Sequence, residues 1–329
     1  MRALAVACLL LLLLAPACGR ERPSDEPIAA DTTGEDPLGE FEEETLSGRL
    51  SVDGSSTVAP LMSLAAERFR KQEPGVRVTV GTSGTGGGFE RFCRGETDLA
   101  NASRPVKPEE KELCAQEAIP FFELQVANDG LSIVVNKGND WATCLTVEQL
   151  KKIWEPGSKV DSWRDVDPSF PDEKLTLFGA GTDSGTFDYF TEAIVGEEGA
   201  SRSDYTPSED DNVTVRGVSG EKGALGYFGL SYLLENQGRV KGVAVDGGEG
   251  CVDPSVETVQ DGTYTPLSRP LFTYVNEDSL AEKPALDPFL TFVLDNAAKL
   301  ARDAKFVPMT GSQVEQARTV LESGGVGVE

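Results

Sequence analysis

The sequence of 329 residues contains no histidine. Histidine is the commonest general base near neutral pH and the commonest zinc ligand, so its absence removes the usual partner of a serine nucleophile and the usual zinc site. Basic residues are also few, because 30 Lys and Arg stand against 55 Asp and Glu, for a net charge of −25. Nucleic-acid binding needs a basic surface, and the composition supplies none. Nucleic acid is therefore excluded as a partner.

Long apolar runs are lacking as well. The one clear run, residues 4–14, follows Arg2 and closes with Ala15-Pro16-Ala17-Cys18. It is too short and wrongly flanked for a membrane-spanning helix and predicts an export signal over residues 1–18. Small residues directly before a cysteine resemble a bacterial lipoprotein signal. That resemblance implies lipidation of Cys18 and a membrane anchor, and ordinary secretory cleavage is the alternative.

Cysteine is scarce, with six residues in all. Cys8 lies in the signal and Cys18 is the expected anchor, which leaves Cys93, Cys114, Cys144 and Cys251. An exported protein reaches an oxidising compartment, where an even number of remaining cysteines favours two disulfides. Buried free thiols are the alternative. The sequence allows three pairings. We prefer Cys93–Cys114 and Cys144–Cys251, because the first closes a local loop and each pair stays within one domain.

The rest of the chain divides into a tether and a folded body. Residues 19–47 are acidic and carry few apolar side chains, so we expect a flexible tether with no core of its own. From residue 48 onward, strands and helices alternate, which predicts parallel α/β sheets with ligands at the carboxyl ends of the strands. Within this body we expect a loop over residues 81–88 followed by a helix, and a last long helix that begins at Asp287 and carries Leu300.

The stretch over residues 175–190 combines a buried strand, a small-residue turn and an amphipathic helix. This arrangement aims unpaired backbone N–H groups at one point, where an anion is the natural ligand. Three other loops share its chemistry. The candidate residues are Ser55, Ser56 and Thr57 in the first loop, Thr85 and Gly86 in the second, Ser103 and Arg104 in the third, and Asp183, Ser184, Gly185 and Thr186 in the fourth.

No single loop is specific. Gly-rich turns with Ser or Thr are usually helix caps, and that is the alternative for each of them. The run Gly84–Gly88 is not followed by Lys-Ser or Lys-Thr, so a nucleotide-binding P-loop is excluded. A hydrogen bond to a charged group contributes about 1.5–3 kcal/mol, which is less than the desolvation of an anion costs. Only convergence of several loops would make a dehydrated anion site.

Seven motifs together carry a family resemblance: DGSSTVAP (53–60), GTSGTGGGFERF (81–92), TDLANASRPV (97–106), DGLSIVVN (129–136), FGAGTDSGTFDYF (178–190), GALGYFG (223–229) and PLFTYV (270–275). Over residues 48–310 the chain resembles the phosphate-binding proteins of bacterial Pst-type ABC transporters. The resemblance implies an α/β, two-lobed type II periplasmic-binding-protein fold with mixed sheets flanked by helices and inorganic phosphate between the lobes. It also implies delivery to a membrane permease, without catalysis, cofactor or metal, and we expect a monomer.

The resemblance also implies domain boundaries and a hinge. We expect a first lobe of residues 48–127 plus 266–329 and a second lobe of residues 128–265. The chain would cross between them near residues 126–129 and return near residues 263–269. Closure about this hinge would bury the ligand.

Carried over residue by residue, the resemblance places Ser56, Thr57, Thr85, the Gly86 amide, Ser184, Gly185 and Thr186 on the phosphate, with Ser55 adjacent. Two departures stand out. Ser103 replaces an aspartate that accepts the phosphate proton in the best-known branch, and Ala180 replaces an arginine. We therefore expect the cation from Arg104. Our hypothesis for the proton acceptor is Asp183, with Asp53 and Asp129 as weaker candidates; the alternative is that Asp183 caps its helix.

Other functions remain open at this stage. Within the same class, the ligand could be another tetrahedral oxyanion, such as sulfate or molybdate. An exported phosphate-ester hydrolase could use Ser184 or Thr57 as nucleophile, but no histidine or adjacent lysine supplies a base. Metal-assisted hydrolysis through Asp183, Asp188 and Asp53 follows no recognised ligand spacing. An adhesin or sensor on the same fold is a third class. The export signal places all of these outside the cytoplasm.

Overall fold

The computed structural model describes residues 45–182 and 184–325. The predicted signal, the lipidation site Cys18, most of the tether and Asp183 lie outside the described residues. Within the described part, no helix combines the length and the apolar character needed to cross a membrane.

The strands and helices follow the alternation expected from the sequence. The strands are β1 (Ser47–Gly54), β2 (Gly75–Val80), β3 (Leu99–Ala102), β4 (Phe121–Asn136), β5 (Cys144–Thr146), β6 (Thr176–Ala180), β7 (Thr206–Ser208), β8 (Ala224–Gly229), β9 (Val240–Asp246), β10 (Cys251–Val252) and β11 (Ser268–Asn276). The helices are α1 (Ala59–Gln72), α2 (Gly84–Cys93), α3 (Pro108–Gln116), α4 (Val147–Trp154), α5 (Trp163–Val166), α6 (Gly185–Phe190), α7 (Asp211–Gly220), α8 (Leu230–Asn236), α9 (Val256–Gln260), α10 (Glu277–Glu282), α11 (Leu286–Asp295), α12 (Ala297–Asp303) and α13 (Gly311–Glu322). A π-helical turn, Thr191–Val195, extends α6.

One long strand connects two sheets. The strand order is β2-β1-β3-β11-β4-β8-β6-β7, with β9 also pairing β4 and carrying β5 and β10 beside it. The 16-residue strand β4 pairs with β11 over residues 121–130 and with β8 and β9 over residues 131–136. We call the β2-β1-β3-β11 side of β4 the first lobe and the β8-β6-β7 side the second lobe. Parallel pairs β1–β2, β1–β3 and β6–β8 mix with antiparallel pairs, as the mixed α/β prediction required.

Each lobe has its own apolar core. The second-lobe cluster includes Trp154, Trp163 and Phe190, and the main first-lobe cluster includes Leu61, Phe69 and Phe289. A third, much smaller cluster lies between α2, α3, β3 and β11 and consists of Phe89, Phe92, Cys93, Ala100, Ala102, Cys114, Phe272 and Tyr274. Separate cores allow the lobes to move as units, while β4 and β11 connect them.

The cysteines pair as preferred from the sequence. Cys93 bonds to Cys114 with 4.3 Å between their Cα atoms, and Cys144 bonds to Cys251 with 6.0 Å between theirs. The first bridge lies in the small cluster of the first lobe, and the second joins β5 to β10 in the second lobe.

Two helix predictions were wrong. Helix α2 begins at Gly84, within the predicted loop, because the glycines let it pack against the end of β1. A Cβ at Gly88 would lie 2.4 Å from the Cα of Gly54. The predicted last helix ends at Asp295. The side-chain amide of the next residue, Asn296, donates a hydrogen bond to the Phe292 carbonyl oxygen at 2.9 Å. Leu300 therefore belongs to α12, and α13 follows it.

Candidate anion-binding cleft

A polar cleft of about 370 Å³ lies between the two lobes. Loops that follow strands of both lobes form its walls, as the α/β alternation predicted. The lining residues are Ser55, Ser56, Thr57, Ser83, Gly84, Thr85, Gly86, Gly87, Ser103, Arg104 and Lys107 from the first lobe, Gly185, Asp188, Tyr189, Glu192 and Glu198 from the second, and Arg269 from β11. Residues that are up to 214 positions apart in sequence thus meet in one place.

The first two loops lead into helices whose first turns carry no side-chain cap. Val58 is the N-cap of α1 and Ser83 is the N-cap of α2, and neither side chain accepts a hydrogen bond from its helix. The first N–H groups of a helix have no intrahelical partner, and the helix dipole favours negative charge there. A capping role by these N-cap side chains therefore does not account for the two loops, whose residues line the cleft.

Asp53 lies beneath the cleft and joins the first two loops. Its Oδ1 accepts hydrogen bonds from Gly54 N at 2.7 Å and from Ser83 N at 2.9 Å, and its Oδ2 pairs with Arg91. Burial by itself raises the pKa of Asp53, but these backbone donors, the Ser83 hydroxyl and the Arg91 guanidinium together hold it below its usual range. Asp53 does not line the cleft, and its donors occupy both oxygens. The structure thus gives it a positioning role instead of contact with a ligand proton.

Hydroxyl contacts join the second loop to the third. Thr85 Oγ1 lies 3.2 Å from Ser103 Oγ and accepts a hydrogen bond from Ser103 N at 3.4 Å. The next residue, Arg104, lines the cleft as expected, but its guanidinium is engaged by a carboxylate. It donates to Glu110 Oε1 at 2.7 Å and to Glu110 Oε2 at 2.8 Å. Because Glu110 balances its charge, Arg104 is an incomplete source of positive charge for an anion.

A second arginine, Arg269, which we did not predict as a site residue, also lines the cleft. Arg269 donates from Nη2 to Thr57 Oγ1 at 3.2 Å and from Nε to Asp129 Oδ2 at 3.3 Å. Its guanidinium carbon lies 3.5 Å from the ring centroid of Tyr189, a favourable cation–π geometry. Arg269 therefore contacts the first lobe through Thr57 and the second lobe through Tyr189.

Asp129, a weaker candidate for the proton acceptor, is the buried partner of Arg269. The two residues face each other in register across β4 and β11. Burial raises the pKa of Asp129, and the Arg269 guanidinium opposes that effect. Asp129 is absent from the lining of the cleft, so the structure makes it a support for Arg269.

Among the described candidates of the fourth loop, Gly185 lines the cleft. It also touches the first lobe, since a Cβ at this position would lie 2.6 Å from Thr57 Oγ1. Ser184 instead caps α6 by accepting a hydrogen bond from Thr186 N at 3.2 Å. Neither Ser184 nor Thr186 is among the lining residues. The helix-cap alternative thus describes Ser184, and Asp183 lies outside the described residues.

The second lobe presents carboxylates to the cleft. Asp188, Glu192 and Glu198 all line it, and among the described residues none of their side chains has a hydrogen-bond or salt-bridge partner. Burial, then the nearby Glu198 and Glu192, raise the pKa of Asp188, while Arg269 lowers it. An anion in this cleft must therefore coexist with negative charge, which favours a ligand that carries a proton.

Comparison with known proteins places the chain in a family. A model described as a PBP superfamily domain matches residues 39–297. SphX from Synechococcus elongatus is 46% identical over 304 residues, which cover 92% of this chain and 89% of SphX. The phosphate-binding protein PstS from Staphylococcus saprophyticus is 39% identical over 276 residues, which cover 84% of this chain and 85% of PstS.

Solved structures agree in fold. A possible phosphate binding protein from Planctomyces limnophilus matches with a TM-score of 0.81 and 44% identity, over 85% of this chain and 99% of that one. An ABC-type phosphate transport receptor from Vibrio cholerae matches with a TM-score of 0.63 and 25% identity, over 78% of this chain and 99% of that receptor. Two lobes around a polar cleft define a periplasmic-type solute-binding protein. The chain belongs to the PBP superfamily and, within it, to the family that includes SphX and PstS, which confirms the resemblance seen in its motifs.

Proposed function

We propose that this protein captures inorganic phosphate between its lobes and delivers it to the membrane permease of an ABC transporter. The observation that carries the proposal is the convergence of three hydroxyl-bearing loops and Gly185 on Arg269 in one cleft. These neutral donors and the cationic side chain of Arg269 suit a small tetrahedral oxyanion. The names of PstS and of the solved relatives favour phosphate over sulfate or molybdate.

Hydrolysis has less support. Thr57, one of the two candidate nucleophiles, accepts a hydrogen bond from Arg269, and an arginine does not act as a base. The other, Ser184, caps α6. No cluster of three or more metal-ligating side chains occurs within the described residues. Binding and release, without turnover, therefore account best for the cleft.

Two assays test the proposal. Phosphate should change the fluorescence of the purified protein saturably, since Trp154 packs on Phe190 at the end of the cleft helix α6. Phosphomonoesters incubated with the same protein should release no phosphate above the buffer rate. Saturable binding of sulfate or molybdate with no response to phosphate would contradict the choice of ligand, and protein-dependent release would contradict the binding role.

We also propose export and anchoring through Cys18, which the apolar run over residues 4–14 and the small residues Ala15 and Ala17 support. Cys18→Ser should move the protein from the membrane fraction to the soluble extracytoplasmic fraction without changing phosphate binding. Unchanged fractionation would contradict the anchor and favour ordinary secretory cleavage. A monomer, the expected state, is checked by light scattering of the soluble variant.

A further inference from the structure

The Cys93–Cys114 disulfide joins two helices whose N-terminal ends meet at the cleft. Helix α2 begins at Gly84, carries the lining residue Thr85 in its first turn and ends at Cys93. Helix α3 follows the lining residue Lys107, carries Glu110 in its first turn and reaches Cys114 one turn later. The covalent bond is therefore at one end of the helix pair, and the candidate ligand contacts are at the other.

Hydrogen bonds connect the same helices at the cleft. Thr85 at the start of α2 contacts Ser103, and Arg104 pairs with Glu110 on α3. A Cβ at Gly86 would lie 4.0 Å from both Arg104 Nη2 and Glu110 Oε1, so the guanidinium rests beside the first turn of α2. The third loop is thus held between the two helices. The disulfide connects the same two helices at their other end, so α2 and α3 are linked at both ends.

Apolar packing also lies between α2 and α3. The cluster between them and the sheet has eight buried members, two of which are the bonded cysteines, and Val106, Leu113, Ile119 and Phe121 pack against it. Both cysteines are fully buried, and Cys93 Sγ lies 3.6 Å from the Glu110 carbonyl oxygen. This cluster is smaller than the main cores of the two lobes, so it resists local separation less strongly. Without the covalent bond, the spacing of the helices would depend on this cluster and on the polar contacts at the cleft.

From this arrangement we infer that the Cys93–Cys114 disulfide is a positioning element of the phosphate site. It fixes α2 against α3 and so holds Thr85 and Arg104 at the spacing that the anion requires. This inference rests on the proposed function. The other disulfide provides a matched control, because Cys144 and Cys251 join β5 to β10 and neither strand lines the cleft.

Calorimetric titration with inorganic phosphate tests the inference on the oxidised wild type, on Cys93→Ala with Cys114→Ala, and on Cys144→Ala with Cys251→Ala. Each titration is run well below the melting temperature of its variant, with folding verified by near-ultraviolet circular dichroism. We expect both variants to melt earlier. The Kd for phosphate should rise at least tenfold in the first variant and stay within threefold of wild type in the second. If the first variant does not fold, Cys93→Ala with Cys114→Val, which leaves less empty space, replaces it under the same criterion.

A double-mutant cycle with Arg104→Gln separates positioning from a general loss of stability. Since the disulfide acts through Arg104, the combined rise in Kd should be smaller than the product of the separate rises. Equal affinities of the two cysteine variants, or fully multiplicative losses in the cycle, would overturn the inference. A wild type that binds no phosphate would instead overturn the proposed function.

Discussion

Arg269 and Asp129 face each other across β11 and β4, the two strands that run between the lobes, with 3.3 Å between Nε and Oδ2. Both side chains are largely buried, at 11% and 9% exposure. The same guanidinium reaches Thr57 in the first lobe and stacks on Tyr189 in the second. A cation held at the crossing strands can therefore connect ligand binding to the relative position of the lobes.

The first prediction concerns Arg269→Gln. Loss of a charged hydrogen-bond donor should raise the Kd for phosphate by about 10–150-fold, equivalent to ~1.5–3 kcal/mol. Asp129 is then left buried and unpaired, so the free energy of unfolding should fall by about 3–5 kcal/mol. Calorimetry and urea denaturation measure the two effects.

The matched control for this prediction is the double variant Arg269→Gln with Asp129→Asn. Neutralising the orphaned carboxylate should recover much of the stability and none of the affinity. Wild-type affinity in Arg269→Gln would show that the other cations of the cleft, Arg104 and Lys107, supply the charge.

The second prediction concerns selectivity for a protonated anion. A carboxylate that accepts the phosphate O–H rejects sulfate, which has no such proton. Asp183 remains the hypothesis from the sequence, and Asp188 is a candidate that the structure adds, because it lines the cleft. Replacement of the true acceptor by asparagine should reduce the ratio of sulfate Kd to phosphate Kd by about tenfold or more, whereas the exposed Glu198→Gln should not.

Side-by-side titrations of Asp183→Asn and Asp188→Asn with both anions identify the acceptor. If it is Asp188, selectivity in the wild type should decline in acid at a higher pH than for an ordinary aspartate, because burial and Glu198 raise the pKa of Asp188. An unchanged ratio of sulfate Kd to phosphate Kd in both variants would contradict the hypothesis that Asp183 or Asp188 selects phosphate.

The third prediction tests the contact between the lobes at Gly185. Alanine there would place its Cβ 2.6 Å from Thr57 Oγ1 and 3.2 Å from Thr57 N, so the loops must separate. We expect weaker phosphate binding with little change in melting temperature. Gly311→Ala is the control, because its Cβ would meet nothing within 4 Å. Equal affinities of the two variants would mean that the Gly185–Thr57 contact is unimportant for binding.

The fourth prediction is a pH dependence of stability from Asp53. Its pKa is lowered in the folded state, so its contribution is present above the unfolded pKa of about 3.9 and is lost as pH falls through the folded pKa. Asp53→Asn should lower the free energy of unfolding by about 1–3 kcal/mol at pH 6. The difference from wild type should narrow as pH falls below the unfolded pKa and through the lower folded pKa. A difference that is independent of pH would assign the loss to altered packing.

Local patterns predicted the alternation of strands and helices, and the family motifs implied the two-lobed fold. The disulfide pairing followed from the local loop that Cys93 and Cys114 close and from keeping each pair within one domain. The approach of the first three loops followed from their shared turn chemistry and from the family motifs. Where a local pattern had two interpretations, the sequence could not choose between them. Glycines over residues 84–88 permit either a loop or a close-packed helix, and the nearby Cα of Gly54 decides for the helix.

Arg269 shows why part of the site escaped prediction. It stands 212 positions from Thr57 and 140 from Asp129, between Ser268 and the motif PLFTYV, without a glycine-rich turn to mark it. One feature of the sequence could have identified Arg269 as a site residue: it lies where we expected the chain to return between the lobes. We used that position only to locate the hinge. Arg104, by contrast, lay in a recognisable loop, but the sequence did not reveal that Glu110 balances its charge.

Calorimetric titration of the wild-type protein with phosphate and then with sulfate tests the central claim most directly. The account predicts saturable binding of one phosphate per chain, with sulfate at least about tenfold weaker, a difference of ~1.4 kcal/mol. Equal binding of the two anions, or no heat from phosphate, would contradict it.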